Sequence, residues 1–163
     1  MSTNKYRPHI LVLPEDAADS ELALGFFLYD PVALRELQVL REAGGWAEVR
    51  DKFGLEHVPE MRRYRQRYMV LLVDFDGQPE RGDEMRKAIP RDLTDRVFVI
   101  GVWEEPEDLQ RQQLGNNEAV CRQLARECRE NRRELWNHEL LAHNAAELDR
   151  MNGILRPILF PAN

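Results

Sequence analysis

The chain has 163 residues, 43% of them hydrophobic and 32% charged, which suits one domain with a full-sized core and a heavily solvated surface. A formal net charge of −6 excludes a protein that binds polyanions over its whole surface, so any nucleic-acid contact needs a local basic patch. No stretch approaches the ~20 apolar residues of a membrane span, and the first apolar run is too short for a signal segment; the reading is a complete, cytoplasmic chain with no membrane contact.

In chain order, Ile10 to Leu13 reads as a strand, stopped at Pro14 and followed by a helix carrying Leu22, Leu24, Phe26 and Phe27. "DPVALRELQVLREAGG" reads as a second helix, with Asp30 as N-cap, Pro31 in the first turn and Gly44 closing it. A short helix ending near Gly54 and a loop come next, then an apolar strand from Met69 to Val73. After the loop "DFDGQPERGD", a helix over Glu84 to Ile89 stops at Pro90, and Val97 to Val102 forms a third strand. From Glu107 the pattern is mostly helical with no breaker before Gly153, and "ILRPILF" reads as a terminal strand or a surface tail.

Short apolar runs without alternation, separated by helices, belong to strands buried on both faces. The predicted fold class is therefore α/β, a doubly wound, mostly parallel sheet with helices on both faces, in a single domain over residues 1–163. Cys121 and Cys128 are seven positions apart and share one helix face. A separation of ~10 Å along the axis keeps them from bridging, so they read as two buried thiols.

The acidic residues follow the strands. Glu15 and Asp16 end the first, with Asp19 one turn into the next helix; Asp74 and Asp76 end the second; Glu104, Glu105, Glu107 and Asp108 follow the third. Parallel strands send their carboxyl ends to one edge of the sheet, where sites of open α/β folds form. Two carboxylates ~4 Å apart repel by about 4 kcal/mol at an effective dielectric of ~20, so such a group needs protons or a cation. Oxygen donors of this kind suit Mg²⁺ or Mn²⁺. In an extended segment alternate residues point the same way, so Asp74 and Asp76 can both face the crevice with Phe75 turned inward. Taken singly, each cluster is also what solvent-facing strand ends and helix N-termini produce.

A strand ending in Glu15, a later strand ending in the D-x-D of Asp74 and Asp76, and further acids after the next strand together resemble the Toprim domain. That domain is shared by topoisomerases, bacterial primases and OLD-type nucleases. The resemblance covers residues 9–110 and leaves 111–163 as a helical C-terminal extension. It implies catalytic roles for Glu15, Asp74 and Asp76. It also implies a Mg²⁺ or Mn²⁺ site drawn from these three with Asp19, which matches the E-x-x-x-D spacing of the OLD-type nucleases, and with Glu105 or Glu107. Two departures stand: Asp16 occupies the place where the family usually has glycine, and the spacer before Asp74 is long and helical. The implied activity is Mg²⁺-dependent phosphoryl transfer on nucleic acid, a nuclease in the first instance; no tyrosine nucleophile can be assigned for topoisomerase chemistry.

Candidate phosphate contacts are Arg62 and Arg65 in "MRRYRQRY", where Tyr64 and Tyr68 interleave with the arginines, and Arg81, Arg86 and Lys87 near the D-x-D loop. Each set also reads as an ordinary solvated face. A competing resemblance is to receiver domains, with Glu15 and Asp16 holding Mg²⁺ and Asp74 accepting phosphate. "VIGVWEEPED" lacks the Ser or Thr that such a domain wants, and "RPILFPAN" lacks the lysine. A third reading is a non-catalytic subunit that meets a protein partner or another copy of itself; Trp136, Leu140, Leu141 and Leu148, near helical spacing, either present such a face or, as is more frequent, pack on the sheet as core. "HELLAH" is not a zinc motif: His138 and His143 are five apart, which turns the second imidazole ~140° from the first.

Overall fold

The computed structural model describes residues 3–29, 32, 33, 35–104 and 117–161. Four parallel strands lie in the order β2-β1-β3-β4: β1 (His9–Pro14), β2 (Leu37–Val39), β3 (Arg67–Leu72) and β4 (Val97–Ile100). The helices are α1 (Ala17–Phe27), α2 (Trp46–Lys52), α3 (Val58–Arg63), α4 (Glu80–Lys87), α5 (Asn117–Glu130), α6 (Ala145–Ile154) and α7 (Arg156–Leu159). The fold is α/β with a parallel sheet, as the unalternated apolar runs predict.

Both faces of the sheet are covered, which is why its strands are apolar throughout. Leu11, Leu13, Met69, Leu71, Val97 and Val99 pack under Val49, Phe53, Val58, Met61 and Met85 of the α2–α4 side. Ile10, Val12, Val70, Leu72 and Phe98 pack against Leu155, Leu159 and the partly buried Phe26, Phe27 and Met151. α5 closes over α1 through Leu22, Val120, Leu124 and Trp136. The C-terminal helices thus cover one sheet face.

Four expectations need correction. The segment read as a second helix contains β2 instead. Asp30, Pro31 and Leu34 lie outside the described residues, but Leu37 pairs with Ile10 and Val39 with Val12. Ile10 N–H donates to Glu36 O at 2.8 Å and Leu40 N–H to Val12 O at 2.8 Å. The open edge of β1 offers these bonds only within the assembled sheet, and there they outweigh local helix propensity. Likewise, the loop expected after Gly54 is helical: a π-turn over Phe53–His57 joins α2 to α3, with Val58 N–H reaching back to Phe53 O.

The long C-terminal helix is also interrupted. Asn131 takes φ 56° just after α5, a left-handed stop. The buried Glu127 carboxylate then accepts from Leu135 N–H at 2.8 Å, holding a compact turn before α6. "ILRPILF" is neither strand nor surface tail but the end of α6 and α7, with Pro157 in α7's first turn and Leu155 and Leu159 buried.

The outer edge of β4 is covered by side chains rather than a fifth strand. Val99 N–H donates to Glu147 Oε2 at 2.8 Å and Gly101 N–H to Asn144 Oδ1 at 3.1 Å, while Asn144 Nδ2 donates to Gly101 O at 2.9 Å. These bonds satisfy backbone groups that would otherwise template strand addition.

Candidate metal centre

The carboxyl edge of the sheet is built where β1 and β3 run on past their last paired residues. Glu15 N–H donates to Leu72 O at 2.9 Å and Gly44 N–H to Glu15 O at 2.8 Å, so Glu15 is held on both sides. Asp16 then caps α1, its Oδ1 accepting from Asp19 N–H at 3.0 Å. The cap points the first turn of the helix back at the strand ends and places Asp19 there, fully buried. On the other strand, Val73 N–H donates to Ile100 O at 3.0 Å and Phe75 N–H to Val102 O at 3.1 Å, which fixes Asp74 between them.

Glu15, Asp19 and Asp74 each present one carboxylate oxygen, all within 4.8 Å of one another, and all three side chains are buried. Glu15 Oε2 accepts from Asp74 N–H at 2.7 Å. Among the described residues, no donor reaches either oxygen of Asp19 or Oδ1 of Asp74. A proton held between carboxyls, Asp19 with Asp74 or either with Asp16, is the hydrogen bond that the described residues offer these oxygens.

Charge regulation follows. Burial, the shared bond to Asp74 and the negative charge of Asp74 push Asp19 up to about 11. Burial raises Asp74 to about 7, with Asp16 and Glu15 adding to the rise and the Asp19 bond opposing it. Glu15 is raised by burial too, against the lowering effect of the Asp74 N–H. Three such groups do not ionise together without a positive charge among them. Hard oxygens with free lone pairs, on buried and oriented side chains, could hold a metal ion.

The remaining predicted residues distribute unevenly. Asp76 does not join the triad. Its φ of 50° breaks the extended alternation after Phe75, and its side chain turns outward to Arg81 Nη1 at 2.9 Å. It stays close enough that its charge raises Glu15. Arg81 Nη1 also donates to Asp74 O at 3.2 Å, so this guanidinium lies over the D-x-D loop. Arg86 turns to Asp83 and Glu147, at 3.5 and 4.0 Å, and Lys87 is exposed at the end of α4. Five residues of helix put Arg86 ~7.5 Å further along than Arg81. Arg62 and Arg65 sit at the amino edge of the sheet, beyond β3's first residue, and Arg62 is engaged with Asp92 at 3.0 Å. They cannot share a phosphate with the triad. Glu104 is exposed, and Glu105, Glu107 and Asp108 lie outside the described residues.

An aromatic rim that has no sequence signal of its own borders the acids. Arg81 lies 6.0 Å from the Trp46 ring centre and Arg50 5.4 Å. Trp103 stacks on Phe75 at 6.3 Å, and His143 touches both rings from the side, at 4.5 and 5.2 Å. Trp46 follows Gly44 and Gly45, a break that marks a loop but not its place beside the acids. His138 Nδ1 accepts from Leu140 N–H, whereas His143 lies against Phe75 and Trp103.

The titration shifts set a pH dependence. Asp19 holds its proton more tightly folded than unfolded, so raising the pH above its ordinary 3.8 favours the unfolded chain. His9, His57 and His143, all lowered from 6.5 by burial, act oppositely and lose stability as pH falls below 6.5. Cys121 and Cys128, raised to about 12 by burial, add a loss of stability with rising pH only as the unfolded thiols titrate, near 9.0 and above. Between pH 6.5 and 8 the carboxylates dominate. Urea denaturation in EDTA should show stability falling by about 1 kcal/mol per pH unit across that window. Saturating Mg²⁺ should flatten the slope.

No protein-family model, curated protein or solved structure is significantly similar to this chain.

Proposed function

We propose that the chain is a divalent-cation-dependent phosphoryl-transfer protein acting on nucleic acid, with nuclease activity as its simplest form. The observation that carries this reading is the buried triad of Glu15, Asp19 and Asp74 with its undonated carboxylate oxygens. These three residues would hold Mg²⁺ or Mn²⁺, which supplies charge neutralisation at a phosphate and a more acidic water. Glu15 is oriented for this by the Asp74 N–H, and Asp19 by the α1 cap. Arg81 is anchored over the loop by Asp76 and is the cation placed to meet a phosphate oxygen beside the acids.

The test is cleavage of end-labelled DNA and RNA, single-stranded and duplex, in Mg²⁺ or Mn²⁺. Activity in the wild type that is lost in both Glu15→Gln and Asp74→Asn supports the reading. Absence of cleavage on every substrate favours a binding or partner-subunit role.

A second reading rests on strand order. β2-β1-β3-β4 is the start of the flavodoxin-like order, in which an acid after β3 lies beside acids after β1, as a phosphoacceptor Asp74 requires. Two features weigh against it. Asp74 is only 5% exposed with Oδ1 covered, and Gly101 and Val102 follow β4 where a hydroxyl is needed. Stable labelling of Asp74 by acetyl phosphate would replace the first reading with this one.

A further inference from the structure

The opposite edge of the sheet holds a second concentration of charge. His9 pairs with Arg67 at the amino ends of β1 and β3. Six residues of strand at ~3.3 Å each put this edge about 20 Å from the carboxylates.

Here the N-terminal segment folds across the turn between α3 and β3. Gln66 Nε2 donates to Tyr6 O at 2.8 Å, and His9 N–H to Gln66 O at 3.1 Å. Buried Arg67 donates through Nε to His9 Nε2 at 3.0 Å, leaving His9 Nδ1–H to hold Arg7 O at 2.7 Å. Tyr6 meets Tyr64 edge-on at 6.1 Å. Tyr64 is buried beneath three cations, Lys5, Arg67 and Arg63, at 4.9, 5.0 and 5.2 Å from its ring centre. Tyr6 itself is 79% exposed.

Lys5, Arg7, Arg63 and Arg65 are all exposed, and among the described residues no ion pair joins any of them to a carboxylate. The neighbouring Asp92 is taken by Arg62, and Glu60 acts on Arg67 through its field. A chain of net charge −6 thus gathers the exposed Lys5, Arg63 and Arg65 about the Tyr6–Tyr64 pair, with Arg7 next in the chain to the exposed Tyr6 ring. Cations attract any polyanion, but an exposed ring held in place suits one that also offers flat apolar faces, and an unpaired base does so.

We infer that this edge binds single-stranded nucleic acid, with Lys5, Arg7, Arg63 and Arg65 on the phosphates and a base stacked on Tyr6. The site is separate from the metal centre and needs neither its cation nor its carboxylates.

The experiment is fluorescence anisotropy with a labelled oligothymidylate in EDTA. The paired change Arg63→Glu with Arg65→Glu should weaken binding by more than ~10-fold, and log K should fall linearly with log salt. Tyr6→Ala should weaken oligothymidylate binding by about fivefold or more, yet leave competition by inorganic polyphosphate unchanged. Asp74→Asn should bind as the wild type does. Undetectable binding, or binding indifferent to the arginine changes, overturns the site. Indifference to Tyr6→Ala overturns the stacked base and leaves a plain polyanion surface. Because no divalent ion is present, these outcomes do not depend on the carboxylate triad; conversely, a Mg²⁺-induced rise in melting temperature would survive failure here.

Discussion

Saturating Mg²⁺ should raise the melting temperature of the wild type by roughly 5–10 °C, and Asp19→Asn and Asp74→Asn should each remove that rise. Ligand at a hundred times its dissociation constant stabilises the native state by about 2.7 kcal/mol. For a chain of this size each kcal/mol shifts melting by roughly 2–4 °C. The triad's three oxygens lie within 4.8 Å of one another, and among the described residues no N–H or O–H outside the carboxyl cluster donates to those of Asp19 or to Oδ1 of Asp74. A cation gives these lone pairs a partner and displaces the proton that burial forces on Asp19.

The metal-free behaviour of the variants discriminates further. Asp19→Asn removes the titrating group and gives the unpartnered Oδ1 of Asp74 an N–H donor. At pH 8 without metal it should therefore be more stable than the wild type by at least ~1 kcal/mol. A variant that loses the Mg²⁺ response while gaining metal-free stability identifies a binding site held at a stability cost. Wild-type melting that ignores both Mg²⁺ and Mn²⁺ would remove the cation site.

Gly101→Ala should destabilise the fold by more than about 3 kcal/mol. A Cβ at this position would lie 1.6 Å from Val73 O and 2.7 Å from Val73 C, atoms of the backbone that cannot rotate away. Gly101 is flanked by the bonds Val73 N–H to Ile100 O and Phe75 N–H to Val102 O, the pair that fixes Asp74. Relieving the clash must push the two chain extensions apart, stretch both bonds and move Asp74 from Glu15 and Asp19. The urea midpoint should drop sharply, and any remaining folded protein should respond weakly to Mg²⁺. Gly153→Ala supplies the opposite control. It lies exposed in α6 with nothing within 4 Å of its Cβ position, so better helix propensity should stabilise by up to about 1 kcal/mol. Equal effects from the two substitutions would contradict the close approach of Gly101 to Val73.

The two patterns that sequence reading handled best are both local. Unalternated runs such as "ILVL" and "MVLLV" mark strands covered on both sides, because burial of both faces leaves no place for alternating polar residues. Acids directly after those runs mark the sheet's carboxyl edge, and Glu15 and Asp74 do meet there. Where local signals competed with pairing, they lost. β2 was hidden behind helix caps because its hydrogen-bond partners lie on β1, far away in sequence.

Side-chain direction was the other thing sequence reading could not decide. Asp74 and Asp76 look equivalent in "DFD", but one turn of φ to 50° separates a buried carboxylate from an exposed one paired with Arg81. The arginines of "MRRYRQRY" look like neighbours of the acids that follow them, yet a full strand length divides the two groups. On its own, the order of residues determined the parallel α/β class and supplied acids for one edge, since both follow from hydrophobic pattern and strand polarity. Only the tertiary structure decided that Asp19 rather than Asp76 completes the buried cluster. Burial depends on the cap that turns α1 back and on the turn that ends the D-x-D loop, and neither is visible until the chain has folded.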